Sequence, residues 1–205
     1  MTTLTHKGIS VKQDVILAGV GGQGILTAGR LLALAALHRD LDVKMSEVHG
    51  MSQRGGNVDT HVRLGVAVPS SLIPRGGADF LVSFEKLEAL RYMDYLKPDG
   101  VAFVNRLEIS PLTVALKKPN YVDDVDGLLE EKAPHLVWVD GTETAREMGD
   151  VRMVNVILLG ALATRLPFLG EADWEAAVKD RFKKAKVQEA VLAAFRKGAE
   201  ACLSR

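Results

Sequence analysis

A single cysteine, Cys202, is the only thiol among 205 residues. One thiol makes no internal disulfide, no cysteine-based zinc site and no iron–sulfur cluster within the chain. An excess of charge of either sign is also missing, since 26 Lys plus Arg balance 26 Asp plus Glu. That balance gives no overall attraction to nucleic acid or to an anionic membrane. No apolar run nears the ~20 residues that a membrane span needs. The longest, 154–163, is broken by Asn155 and reads as a buried helix. Residues 1–13 are polar and lack an apolar signal core. A cytoplasmic protein is expected, with neither nucleic acid nor membrane among its partners.

What is present is a hydrophobic share of 47% beside 25% charged residues, enough for a real core. The patterning predicts one α/β domain over 1–205, with 1–12 as a flexible tail, a largely parallel or mixed sheet covered by helices, and a helical C-terminus. Residues 15–20 form an uninterrupted apolar run, as a central strand requires. A mostly buried helix is expected over 25–37, with Leu31, Leu32, Leu34 and Leu37 inside, then a second strand over 42–48. Val58, Thr60, Val62 and Leu64 alternate with Asp59, His61 and Arg63, the pattern of a half-exposed strand. Turn signals at 65–69 and 74–77 bracket a short edge segment. Strands are expected at 80–84, 101–104 and 136–139. A helix with Leu87, Leu90, Met93 and Leu96 facing the core should end at Pro98-Asp99-Gly100. Residues 106–126 read as irregular. Helices follow near 142–148 and over 151–166, then one carrying Trp174, Val178 and Phe182 on one face. The last carries Val187, Val191, Phe195, Ala199 and Leu203 four residues apart.

Two glycine-rich loops concentrate the chemistry. Gly19-x-Gly21-x-x-Gly24 sits between a strand and a helix, the context of a dinucleotide fingerprint. Its acidic companion is uncertain in position: Asp40 and Asp42 lie at about the right distance, but Asp42 starts its strand instead of ending it. Such turns also arise for packing alone. The first N–H groups of the following helix suit an anion. Gln23 either contacts a polar ligand or caps the loop. The second loop, 49–56, crowds His49, Ser52, Gln53 and Arg54 before Gly55-Gly56. Arg54 offers a planar fork for carboxylate or phosphate, and Glu47 with His49 could move a proton. The plainer reading is a turn that satisfies its own backbone. No metal-ligand spacing is present. Asn155 either bonds a buried backbone group or points towards the glycine turns. Cys202 reads as a small packed residue, and His6, His38, His61 and His135 as solvated or locally bonded.

Taken together, the two loops resemble a known family. Residues 19–28 and 46–56, then Phe84-Glu85-x-x-Glu88-Ala89-Leu90-Arg91, Val104-Asn105 and the Asn155 to Gly160 stretch, are similar to the gamma-type domain of 2-oxoacid:ferredoxin oxidoreductases, nearest its indolepyruvate branch. The resemblance implies a subunit that supports CoA-dependent oxidative decarboxylation of a 2-oxoacid, indolepyruvate or another aryl pyruvate, and is inactive alone. It implies thiamine diphosphate and Fe–S clusters in a larger catalytic partner subunit, which passes electrons to ferredoxin, so that ferredoxin meets this chain only indirectly. This chain by itself would bind no cofactor, with CoA a candidate at a shared site. The residues so implied are Gly21, Gly22, Gln23, Gly24, His49, Ser52, Arg54, Gly55 and Gly56, with Glu47 and Asn155 in support; no catalytic residue and no metal ligand is assigned. One departure is Val191, where the family's C-terminal pattern leads one to expect Asn four residues before Phe195-x-x-Gly198. The competing expectations are a free-standing dinucleotide-binding oxidoreductase and a nucleotide-binding module without turnover.

Overall fold

Val15, Ile16, Leu17 and Ala18 are fully buried, a demand met only by a strand covered on both faces. They form the middle of β1 (Lys12–Val20) in a computed structural model that describes residues 12–49, 56–109, 122, 124–133 and 135–203. The chain continues through α1 (Ile25–His38), β2 (Asp42–His49), β3 (Asn57–Gly65), β4 (Ala78–Ser83), α2 (Lys86–Tyr92) and β5 (Leu96–Asn105). It then forms α3 (Val125–Lys132), β6 (Leu136–Val139), α4 (Gly141–Glu147), α5 (Val154–Ala163), α6 (Glu171–Arg181) and α7 (Ala185–Leu203).

The six strands make one mixed sheet in the order β2-β3-β1-β4-β5-β6. The expected strand–helix–strand unit exists, but β3 inserts between its two strands and runs antiparallel to both. From β1 onwards to β4, β5 and β6 every pairing is parallel. Alternate residues of β1 feed two cores. Val15 and Leu17 pack with α1, α5, α6 and α7 on one face, and Ile16 and Ala18 with α2 and α3 on the other. The α/β class and the helical C-terminus are therefore as expected.

Four expectations are corrected. Strand β3 is buried on both faces, with Asp59, His61 and Arg63 all inside. The reason is residues 66–77, which form no strand but lie over the polar face of β3. Arg63 forks onto Asp14 at 2.7 and 3.0 Å and donates to the carbonyls of Ser70 and Leu72. Helix α2 is shorter than its apolar spacing suggested. It stops at Tyr92, a 3-10 turn covers Met93–Tyr95, and Leu96 already opens β5, so Pro98-Asp99-Gly100 lies within a strand. Its buried residues are Glu88, Ala89 and Tyr92, Tyr92 reaching into the polar strip of β3, while Leu90 and Leu96 pack against the core and Met93 is buried, as expected. Helix α3 occupies a stretch with too little apolar periodicity to be read. Leu37, at the end of α1, is 53% exposed, outside the core expected for that helix.

Helices α5 and α7 cross at glycine. A β-carbon on Gly160 would collide with the carbonyl of Phe195, and one on Gly198 with the carbonyl of Ile157. Val191 is buried on the same helix, so the position where Asn was expected is a packing position here. Alanine in a helix interior ordinarily gains about 1 kcal/mol over glycine. At this crossing the sign reverses: Gly198→Ala is expected to lower stability by about 3 kcal/mol through overpacking. Urea denaturation of the two proteins measures it; an unchanged midpoint would mean that the helices part without penalty.

Candidate functional site

Because β1, β4, β5 and β6 are parallel, their carboxyl ends share one edge of the sheet. Helix α1 leaves β1 for one face, and α2 leaves β4 for the other. Where successive connections diverge in this way, an open α/β sheet has a crevice, and ligands of such folds bind there. A cleft of about 570 Å³ occupies this position, with Gly22, Gln23, Gly24, Thr142, Arg146 and Asn155 among its lining.

The first glycine turn forms one wall. Gly22 and Gly24 hold φ values of 102° and 81°, a region that side chains rarely tolerate. Gly24 is also the N-cap of α1 and brings no capping side chain. The first N–H groups of a fourteen-residue helix are thus open to an anion. Gln23 closes the turn and leaves the helix end free. Its Oε1 accepts from Val20 N at 2.7 Å, and its Nε2 donates to the carbonyl of Phe84 at 3.3 Å. Asn105, fully buried, donates to the same carbonyl at 3.0 Å and to Thr142 Oγ1 at 2.9 Å, while its Oδ1 accepts from Thr142 N. Asn155 joins both readings made of it: its Nδ2 donates to a backbone carbonyl at 3.3 Å, and that carbonyl is Gly24 in the glycine turn.

The second loop meets the first. Gly21 N donates to Gly56 O at 2.9 Å, so the two glycine-rich stretches are joined backbone to backbone. Ser52, Arg54 and Gly55 lie outside the described residues, and of His49 the backbone alone is described, paired with Val58. Glu47 is half-buried, with a carboxylate oxygen 3.8 Å from Arg30 of α1.

Beneath this junction runs a polar chain that sequence reasoning did not assemble. Asn57 Nδ2 donates to Tyr92 Oη at 3.3 Å, and that hydroxyl donates to Asp59 Oδ1 at 2.5 Å. The other oxygen of Asp59 lies 3.1 Å from His61 Nε2. His61 Nδ1 accepts from Ile73 N, so the ring proton sits on Nε2, facing Asp59. Glu85 caps α2 through Glu88 N and also accepts from Ile109 N. The signals were available in the Phe84 to Arg91 match and in the spacing of Asp59, His61 and Arg63. Burial raises the pKa of Glu88; Arg91 opposes the shift, and Glu85 and Asp59 add to it. Burial, then the hydrogen bond to Asp59, pushes the Tyr92 phenol up. At the rim, the side-chain hydrogen bond from Arg152 holds Asp150 at about 2.

The Glu88 shift has a sign that can be tested. A raised carboxyl pKa contributes stability below the ordinary value of 4.5 and loses it as pH rises through the folded value. Glu88→Gln removes this titration. It is expected to unfold at higher urea than the parent at pH 7, the two midpoints converging towards pH 4.5. A difference that widens as pH falls would contradict the assignment.

Among the described residues, no group of three or more His, Cys, Asp or Glu could hold a metal ion. None of their helices is long and apolar enough to cross a membrane. A family model described as pyruvate ferredoxin/flavodoxin oxidoreductase matches residues 14–201. The indolepyruvate oxidoreductase subunit IorB of Thermococcus kodakarensis is 42% identical over 153 residues, 73% of this chain and 76% of that protein. Among solved structures, a keto/oxoacid ferredoxin oxidoreductase gamma subunit from Geobacter sulfurreducens shares the fold. Its TM-score is 0.71 at 22% identity, covering 94% of this chain and 99% of that one. A 2-oxoglutarate:ferredoxin oxidoreductase from Magnetococcus marinus, solved with 2-oxoglutarate, coenzyme A and succinyl-CoA bound, reaches 0.72 at 22% identity. It covers 95% of this chain but 31% of that one, so there the fold is one part of a longer polypeptide.

Proposed function

From the premise that this chain belongs to the pyruvate ferredoxin/flavodoxin oxidoreductase family, as a gamma-type subunit of a 2-oxoacid:ferredoxin oxidoreductase, we propose that it supports CoA-dependent oxidative decarboxylation of indolepyruvate or a related aryl pyruvate. The substrate class follows the names of its relatives. A larger catalytic subunit carries out the reaction, in the cytoplasm, and delivers electrons to ferredoxin.

The division of labour follows from the donor set. An Fe–S cluster needs several thiolates, and Cys202 is one. Cys202 alone cannot hold a cluster, and on the family resemblance we assign both the clusters and thiamine diphosphate to the partner. This chain contributes the surface where the two glycine loops join. Coenzyme A is the ligand that suits it, because its pyrophosphate matches an uncapped helix N-terminus and Arg54. The observation that carries the reading is the Gly21–Gly56 hydrogen bond, which holds the end of the second glycine stretch against the first turn, whose Gly22, Gln23 and Gly24 line the crevice at the carboxyl edge of the sheet. Ile109 and Val151, 37% and 59% exposed, line the same cleft, an apolar margin for a partner surface to cover. The family match favours this subunit role over a free-standing dinucleotide enzyme.

Co-expression with a cysteine-rich large subunit tests the proposal. The pair is expected to co-purify with Fe–S absorbance near ~400 nm and to reduce ferredoxin with indolepyruvate and CoA. The isolated chain is expected to do neither, and to show flat calorimetry with NAD, NADP and FAD. Full turnover by the isolated chain, or no association with the large subunit, would overturn the reading.

A further inference from the structure

Asn155 is 7% exposed and lines the cleft, and while its Nδ2 is spent on Gly24 O, its Oδ1 has no hydrogen-bond donor. Buried polar atoms are nearly always paired, so an orphan carbonyl oxygen within a residue that lines a cleft calls for an explanation. The side-chain amides of the adjoining network donate elsewhere. Gln23 Nε2 goes to Phe84 O, and Asn105 Nδ2 to Phe84 O and Thr142 Oγ1. Exchanging the amide's oxygen and nitrogen would set two carbonyl oxygens against each other at Gly24, so the orientation is determined. Beside this acceptor stands the uncapped N-terminus of α1. Arg146 and Arg152, bonded to Glu143 and Asp150, line the same cleft, as do Leu107 and Val154.

A fully ionised pyrophosphate diester answers only part of that wall, since it has no hydrogen to give Asn155. We infer that the inner end of the cleft is a donor subsite, in which Asn155 Oδ1 accepts a hydrogen bond from an amide N–H or hydroxyl of a ligand whose anionic group lies at the α1 N-terminus. This rests on the CoA reading above and sharpens it. CoA carries phosphates together with amide and hydroxyl hydrogens, so one molecule answers both features. Oδ1 is closed off in the present arrangement. The donor reaches it through a small rotation of the amide about Cβ–Cγ, a torsion with a broad minimum, at the expense of a long 3.3 Å bond to Gly24 O.

The test is CoA titration of the full chain and of its complex with the large subunit, comparing the parent with Asn155→Leu. Loss of the acceptor is expected to weaken CoA about ten-fold. Thermal stability should change little, because an unpaired carbonyl leaves together with the long Nδ2–Gly24 O bond, and Gly24 O keeps Ala28 N as its donor. A second readout needs no variant: the ¹³C resonance of the Asn155 side-chain carbonyl in the parent should move downfield as CoA is added. Pantetheine and 3′,5′-ADP, titrated separately, distinguish an amide donor from a ribose hydroxyl, and the shift following either fragment supports the subsite. CoA bound equally by parent and variant, with a stationary carbonyl resonance, overturns the subsite and leaves the CoA reading standing. No CoA binding to the chain or to the complex overturns both.

Discussion

The carbonyl of Phe84 receives two side-chain amides, from Gln23 and from Asn105. Through this one oxygen the carboxyl ends of three strands are fixed relative to each other. Gln23 reports the end of β1, because its other amide atom holds Val20 N. Phe84 follows β4, and Asn105 is the last residue of β5. The start of α4 is tied in through Thr142, which bonds both atoms of the Asn105 amide. A buried amide network of this sort is rigid when each member is satisfied and costly when one is lost. The cleft walls, the glycine turn and the first turn of α1 all stand on it.

A second constraint lies on β3. Burying Asp59, His61 and Arg63 on the face shared with α2 is unfavourable unless each is paired. The register supplies the pairing: Arg63 sits directly opposite Asp14 across the β1–β3 ladder, and Asp59 finds Tyr92 and His61. A one-residue slip would turn these groups into the apolar core beneath α1. Buried ion pairs add little net stability over an apolar replacement, but they exclude the wrong register. The strand that delivers Gly56 to Gly21 is therefore held in position by its charged face.

Together these constraints suit a subunit that presents a surface rather than a reaction centre. Gly56 meets the first glycine turn at the carboxyl edge of the sheet, with exposed Ile109 and Val151 lining the adjoining cleft. Helix α5, whose first turn lines that cleft, is locked to α7 at Gly160 and Gly198. The indolepyruvate branch of the family, suggested by the loops, agrees with the relatives found.

Much of this was written in local patterns. The central strand, the glycine turn, α1 and the apolar helix around Asn155 follow from runs and periods that need no distant partner, and the two loops in order carried the family. Alternation on β3 showed a two-faced strand but could not show that its polar face is covered, since the cover, residues 66–77, has no period of its own. The length of α2 was misread because its apolar residues continue smoothly into β5, and only pairing with β4 decides where the strand begins. Asn155 could be singled out as polar in an apolar helix. That its nitrogen holds Gly24 while its oxygen stays unpaired depends on two segments 131 residues apart being brought together. The glycine turn itself was legible from the first, as a strand running through Gly19, Gly21 and Gly24 into a helix. What it faces was decided by tertiary structure, because hydrogen-bond partners across a sheet edge are set by packing and not by spacing along the chain.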